Sequence, residues 1–198
     1  MERDGVRAQK IVKGLPRSFY ERATIDVARD LLGKVLVHGS TAGMIVETEA
    51  YLGGADLASH SAVGITDRTR VIFGPGGHAY VYLVYGMYDC MNIVAERNGT
   101  PGCVLIRALE PVQGADAMRE RRPKARADRD LASGPGKLTR ALGITREHSG
   151  ADITRGELVV LASDIAGFEI AVTRRIGITK CSDLPLRFHI KGNRFISG

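Results

Sequence analysis

The run Ile45-Val46-Glu47-Thr48-Glu49-Ala50-Tyr51 carries two carboxylates and a phenol at alternate positions. Successive side chains of a β-strand point to opposite faces, so Glu47, Glu49 and Tyr51 share one side, the two acids roughly 6.6 Å apart at the backbone. Such a pair could act as acid and base on a glycosidic bond. It could equally be a solvated strand edge, the usual setting for acidic residues. Tyr51 shifts the balance, because an aromatic beside two acids makes that side something other than plain solvent. A carboxylate against an aromatic wall is partly desolvated, holds its proton more tightly and can serve as a general base.

Three further residues stand out from their neighbours. Arg107 shares parity with Leu105 in the apolar run Cys103–Leu109, where a guanidinium needs either a structural carboxylate or an anionic ligand. Asn92 interrupts an apolar β run and is a poor strand former, so its amide needs a backbone or ligand partner. His60 stands alone in a polar loop, either as surface or as a hydrogen-bonding partner for the edge of a ligand. The sequence holds no His-x-x-x-His pair and no Cys/His cluster, so no metal is expected. Cys90, Cys103 and Cys181 lie far apart, which argues against a disulfide framework and for a reducing compartment.

A hairpin stands between these groups. Ala79–Val84 and Asp89–Val94 are apolar, aromatic and β-branched, and they flank Tyr85-Gly86-Met87-Tyr88. Turns normally carry Gly, Asn, Asp, Ser or Pro. This tip instead offers two tyrosines and a methionine. Tyr80 and Tyr82 share a face while Tyr85 turns towards the other. Tyr80 and Tyr88 suit a core. Tyr85 with Met87 suits a wedge that parts stacked planes, such as the base pairs of a nucleic-acid duplex.

Two glycine-rich stretches resemble phosphate loops without completing the pattern. Gly74-Pro75-Gly76-Gly77 lacks the Gly-Lys-Ser/Thr ending, and in Ser133-Gly134-Pro135-Gly136-Lys137 a leucine follows the lysine. The free amides at a helix start around Gly134 and Gly136, followed by Lys137, would nevertheless hold a phosphate. Eight basic residues between Arg119 and Arg140, against Glu120, Asp128 and Asp130, suit a nucleic-acid backbone or a solvated face.

The elements that must carry these groups follow from pattern. Thr24–Leu32 reads as a helix that Thr24 can cap and Gly33 stops. Lys34–His38 and Gly43–Leu52 are strands joined by a turn at Gly39–Ala42, and Gly53–Gly77 is a long surface loop leading into the hairpin. Cys103–Leu109 is a further strand. Pro111–Arg122 reads as a helix opened by proline, and Lys137–Leu142 as another. Leu158–Leu161, Phe168–Val172 and Arg187–Ile190 are late strands. At 198 residues and a net charge of +6 the chain fits one domain, residues 15–198, behind a loose leader at 1–14, with a preference for polyanions. No apolar run is long enough to span a membrane, so a cytoplasmic protein is expected.

Taken together, I-V-E-T-E-A-Y-L-G at 45–53, His60-Ser61, Gly74-Pro75, Tyr80-Val81-Tyr82, Tyr85-Gly86-Met87-Tyr88, Asn92, V-L-I-R-A-L-E-P at 104–111, S-G-P-G-K-L at 133–138 and P-L-R-F at 185–188 resemble the alkyladenine (3-methyladenine) DNA glycosylase family in content and order. The chain is similar to a compact bacterial member. The resemblance implies an α+β fold, a single compact mixed domain around a curved antiparallel β-sheet with a protruding β-hairpin. It implies that alkylated purines are flipped from double-stranded DNA and cleaved at the N-glycosidic bond without metal or cofactor, by a monomer of the cytoplasm and nucleoid. By position, Glu49 matches the general base and Arg107 a neighbour of the catalytic water. Tyr51, His60, Tyr82, Asn92 and Leu105 match the base pocket. Tyr85 matches the residue that fills the gap left by the flipped nucleotide, while Met87 beside it and the phosphate anchor at Gly134, Gly136 and Lys137 rest on the reading of the residues themselves. Glu47 takes a structural role. Two other readings stay open: a non-catalytic duplex binder using the same wedge, and an O-glycoside hydrolase using Glu47 with Glu49.

Overall fold

The computed structural model describes residues 14–198, so the leader expected at 1–14 lies, Gly14 apart, outside the described residues. Two short helices, α1 (Arg17–Tyr20) and α2 (Thr24–Asp30), precede a hairpin of β1 (Val35–His38) and β2 (Thr41–Leu52). The turn is tighter than expected: His38 pairs with Thr41, leaving Gly39-Ser40 as the loop. A loop with two single-turn 3-10 segments leads to β3 (Ala79–Val84) and β4 (Tyr88–Val94), the expected hairpin, and then to β5 (Gly102–Gln113). Three helices follow, α3 (Ala115–Arg121), α4 (Arg129–Ala132) and α5 (Pro135–Leu142), then strands β6 (Leu158–Leu161), β7 (Ile170–Thr173) and β8 (Arg187–Ile190).

All eight strands join one antiparallel sheet in the order β3-β4-β5-β2-β1-β6, with β8 pairing β2 and β7. The α+β reading holds. The axis of the sheet is β2, which pairs β5 along one edge and changes partner on the other, from β1 at Thr41–Met44 to β8 at Glu47–Glu49. Thr41 to Ala50 are all buried, so β2 is an interior strand and the solvated-edge reading of its acids fails.

The helix expected over Pro111–Arg122 is a correction. Pro111 lies in β5, opposite Gly43, beside a register shift, and the helix begins only after Gly114 at φ 73°. Proline's missing N–H is tolerated at such an irregularity, and the long pairing with β2 outweighs a helix start. Thr24 likewise does not cap α2 with its side chain. Glu96 reaches across and accepts from the Thr24 N–H at 2.7 Å and hydroxyl at 2.8 Å.

The core lies between the sheet and its helices and includes Leu36, Ile45, Ile106, Leu109, Met118, Leu138 and Leu142. Helix α5 packs on β4 and β5, and the Thr139 hydroxyl donates to the Asp89 carbonyl at 2.7 Å. This bond ties the helix to the base of the hairpin. Among the described residues no helix is long and apolar enough to cross a membrane.

Candidate active site

Strand β2 carries its two acids into different settings. A register shift falls on each side of Glu47, where β2 also begins to pair with β8. Its Oε1 accepts from Arg107 Nε at 2.9 Å, Arg187 Nε at 2.7 Å and the Ser197 hydroxyl at 2.9 Å; Oε2 accepts the Ser197 N–H at 2.6 Å. Burial alone would push this carboxyl up, but the Ser197 amide, the Arg187 hydrogen bond and the charges of both arginines outweigh it and hold Glu47 below the usual carboxylate range.

Glu49 is as deeply buried, with less positive charge committed to it. Its Oε1 accepts the Ile176 N–H at 2.8 Å and lies 3.3 Å from Arg107 Nη1, while Oε2 accepts the Tyr51 hydroxyl at 2.9 Å. Burial wins over Arg107 and the two donors, so Glu49 sits above the ordinary carboxylate range. Tyr51 is pushed up as well, by burial and then by the charge of Glu49, and stays a neutral donor. Two carboxylates two residues apart thus bind protons with opposed strength, the usual mark of divided acid–base roles. Arg107 touches both.

Tyr51 and Arg107 also wall a cleft of about 430 Å³, together with His60, Tyr82, Asn92 and Leu105. Glu49 lies directly behind that wall, touching Tyr51, Arg107 and Ile176. The aromatic groups form a box. His60 meets Tyr82 edge-on at 4.5 Å between centroids, and Tyr80 stacks on Tyr82 at 5.3 Å. Arg68 Nε donates to the Tyr80 hydroxyl at 3.3 Å, and that hydroxyl shares a 2.9 Å hydrogen bond with His60 Nδ1. Burial, and then the Arg68 charge, lower the His60 pKa, which favours the neutral ring. Asn92 Nδ2 donates to the Tyr80 carbonyl at 3.4 Å, and Asn92 faces Leu105 across the β4–β5 ladder.

At the cleft rim the hairpin turns on Tyr85 (φ 53°) and Gly86 (φ 69°), closed by Met87 N–H to the Val84 carbonyl at 3.1 Å. Positive φ is ordinary for glycine and strained for tyrosine, and such strain clusters at functional sites. It holds the Tyr85 ring at the apex, 82% exposed. Met87, 69% exposed, does not line the cleft. With Tyr88, Arg121 and Arg140 it borders a separate groove of about 480 Å³ between the hairpin and α5, which contains neither Glu49 nor a residue in contact with it. Tyr88 was expected in the core but is 46% exposed, lying over Gly136, where an added Cβ would stand 2.8 Å from the Tyr88 Cβ. Gly134 is buried before α5, Pro135 reaches the cleft and Lys137 is exposed.

Of the groups picked from sequence, Tyr51, His60, Tyr82, Tyr85, Asn92, Leu105 and Arg107 therefore line one cleft and its rim with Glu49 behind the wall, whereas Met87 and Gly136 line the separate groove and Gly134 and Lys137 line neither. Pattern reading missed Arg68, Asp56 and Arg175. Arg68 and Arg175 stand over the rings of Tyr82 and Tyr51, at 5.2 Å and 4.7 Å from the centroids. All three lie in irregular segments, where no periodicity marks a residue's direction. Part of the basic run is engaged with the protein's own surface groups: Arg119 pairs with Asp116 and Asp128, and Arg121 and Arg140 donate to the carbonyls of Ala141 and Arg121. Lys124 and Arg126 are not among these bonds.

Residues 18–194 match the family model described as methylpurine-DNA glycosylase. A protein of Methanoculleus marisnigri, provisionally named a 3-methyladenine DNA glycosylase, is 52% identical over 92% of this chain and 98% of its own length. Proteins with the same provisional name from Methanocella arvoryzae and Alkaliphilus oremlandii are 48% and 46% identical over 92% of this chain in each case and 95% and 98% of their own lengths.

Proposed function

The chain belongs to the methylpurine-DNA glycosylase family, hydrolases of N-glycosyl bonds, and from that premise we propose that it excises 3-methyladenine and related alkylated purines from double-stranded DNA, leaving an abasic site for base excision repair. One observation carries the reading. Glu49, a buried carboxylate with raised proton affinity, lies behind the wall of an aromatic cleft whose rim presents Tyr85 to solvent.

Extruding a base takes a few kcal/mol, least for a damaged one. Tyr85, held at the hairpin apex with Met87 beside it, fills the vacated position in the stack. Gly134 and Gly136 with Lys137 hold a backbone phosphate at the start of α5. The purine enters between Tyr51, His60 and Tyr82, and electron-rich rings favour a cationic methylated base over a neutral one. Asn92, buried against the Tyr80 carbonyl, crowds the amino group of guanine, and Leu105 closes the wall.

Hydrolysis follows from the two acids. Glu49 accepts a proton from a water whose oxygen bonds to C1′, and the C1′–N bond breaks with its electron pair passing to the purine. A methylated purine departs neutral, so no acid is required on the leaving side. Arg107 borders the water and the sugar–phosphate. Glu47, its oxygens occupied by Arg107, Arg187 and Ser197, keeps Arg107 in place. An acid–base pair of Glu47 and Glu49 on an O-glycoside finds no support in that arrangement. The protein works as a monomer on cytoplasmic, nucleoid DNA.

The test is release of free base by the purified chain from a duplex containing 3-methyladenine, beside the undamaged duplex of the same sequence. Release from the damaged duplex alone is expected. No release, or equal release from both, would contradict the reading.

A further inference from the structure

Both hydrogen-bond donors on Glu49 trace back to one buried ion pair. Tyr51 supplies one and the Ile176 amide the other. Arg175, the residue before Ile176, lays its guanidinium over the Tyr51 ring at 4.7 Å, so one side chain adjoins both donors. That guanidinium is immobilised. It forks onto Asp56, Nη1 to Oδ2 at 2.7 Å and Nη2 to Oδ1 at 2.9 Å, and donates further to the carbonyls of Ala50 at 3.0 Å and Cys181 at 3.3 Å. Asp56 is itself fixed by the amides of Leu52 at 3.0 Å and Ala58 at 3.2 Å. Arg175 and Asp56 are both buried.

A buried ion pair is a weak source of net stability, because desolvation offsets the attraction. A rigid guanidinium fork is a good source of geometry. We propose that Asp56 and Arg175 are positioning residues for the hydrolytic base, holding the Tyr51 hydroxyl and the Ile176 amide on the Glu49 carboxylate behind the cleft wall. The inference rests on Glu49 being the base.

The groups facing Glu49 are Arg107 from β5, Glu47 and Tyr51 from β2, Arg187 opposite on β8 and committed to Glu47, and Arg175 from the segment after β7. Among them the Tyr51 and Ile176 hydrogen bonds favour the ionised carboxylate and offset part of its burial. Loosening the pair weakens both, and Glu49 then holds its proton to higher pH.

The experiment is single-turnover base release against pH for wild type, Asp56→Asn and Arg175→Lys, with binding to the lesion duplex measured in parallel. The asparagine variant keeps an acceptor for the Leu52 amide and the guanidinium without the charge, and the lysine variant keeps the charge without the fork. The acid limb of the rate should move to higher pH in both variants, about tenfold in rate at low pH for each unit moved. The rates should approach wild type at alkaline pH, where Glu49 is ionised without help, and binding should stay within about twofold. A rate lowered by one factor at every pH, a parallel loss of binding, or an unmoved profile in the variant that retains the wild-type melt would overturn the proposal. Glu49→Gln run alongside separates the two readings. Residual release by it at the wild-type rate removes the base assignment, whereas an inactive Glu49→Gln with an unmoved Asp56→Asn limb removes only the positioning role.

Discussion

Arg187 stands directly across the β2–β8 ladder from Glu49, yet its Nε reaches diagonally to Glu47 at 2.7 Å. One acid therefore gathers two guanidinium groups, while the other shares a single longer contact with Arg107. The division has consequences for stability as well as for chemistry.

Glu47→Gln should destabilise the fold by about 3–5 kcal/mol, since it leaves two buried guanidinium groups facing a neutral partner. Chemical denaturation reads this as a lower midpoint at unchanged slope. The folded protein holds the Glu47 pKa below its unfolded value, so its contribution is present above the unfolded pKa, near 4.5, and lost as pH falls through the lower folded one. Wild type should show that acid loss and Glu47→Gln should not.

Glu49 runs the other way. Its folded pKa is raised, so the folded state binds more protons than the unfolded, and stability declines as pH climbs from the unfolded value through the folded one. Glu49→Gln should therefore melt higher than wild type at pH 8, with the difference shrinking towards pH 4. Equal melts at both pH values would show that the carboxylate carries no burial penalty.

At the hairpin apex, backbone and side chain should separate. Tyr85→Gly relieves a positive-φ tyrosine and should stabilise by roughly 1 kcal/mol, whereas Tyr85→Ala keeps the strain. Both lose the ring, and since base–aromatic stacking is worth about 1–3 kcal/mol, both should slow excision about tenfold or more. Thermal melts with single-turnover rates check the pair; wild-type excision by either variant would remove the ring from the mechanism.

Lys137→Ala should weaken binding to damaged and undamaged duplex alike and lower the slope of log affinity against log salt by about 1. A loss confined to damaged DNA would place the lysine in the cleft instead.

Much of the site was legible because β-strand parity is a strict rule. Alternation alone put Glu49 and Tyr51 together, and their side chains do meet at 2.9 Å. It could not show that Glu47 sits between register shifts, nor that Ser197, 150 positions away, closes on it. Pro111 was misread because a first-turn proline and an irregular-strand proline look alike until the partner strand is known. The exposed hairpin tip was legible from residue types unsuited to a turn, but the positive φ that presents Tyr85 follows from hairpin closure. Asp56 and Arg175 were invisible because their meaning lies in a contact across 119 positions.

The most direct measurement is single-turnover release of free 3-methyladenine by Glu49→Gln beside wild type, on a duplex whose binding to each is measured separately. If Glu49 is the base, binding should stay within a few-fold while release falls at least about a hundredfold, the lower range of general-base contributions. Release at the wild-type rate would contradict the account.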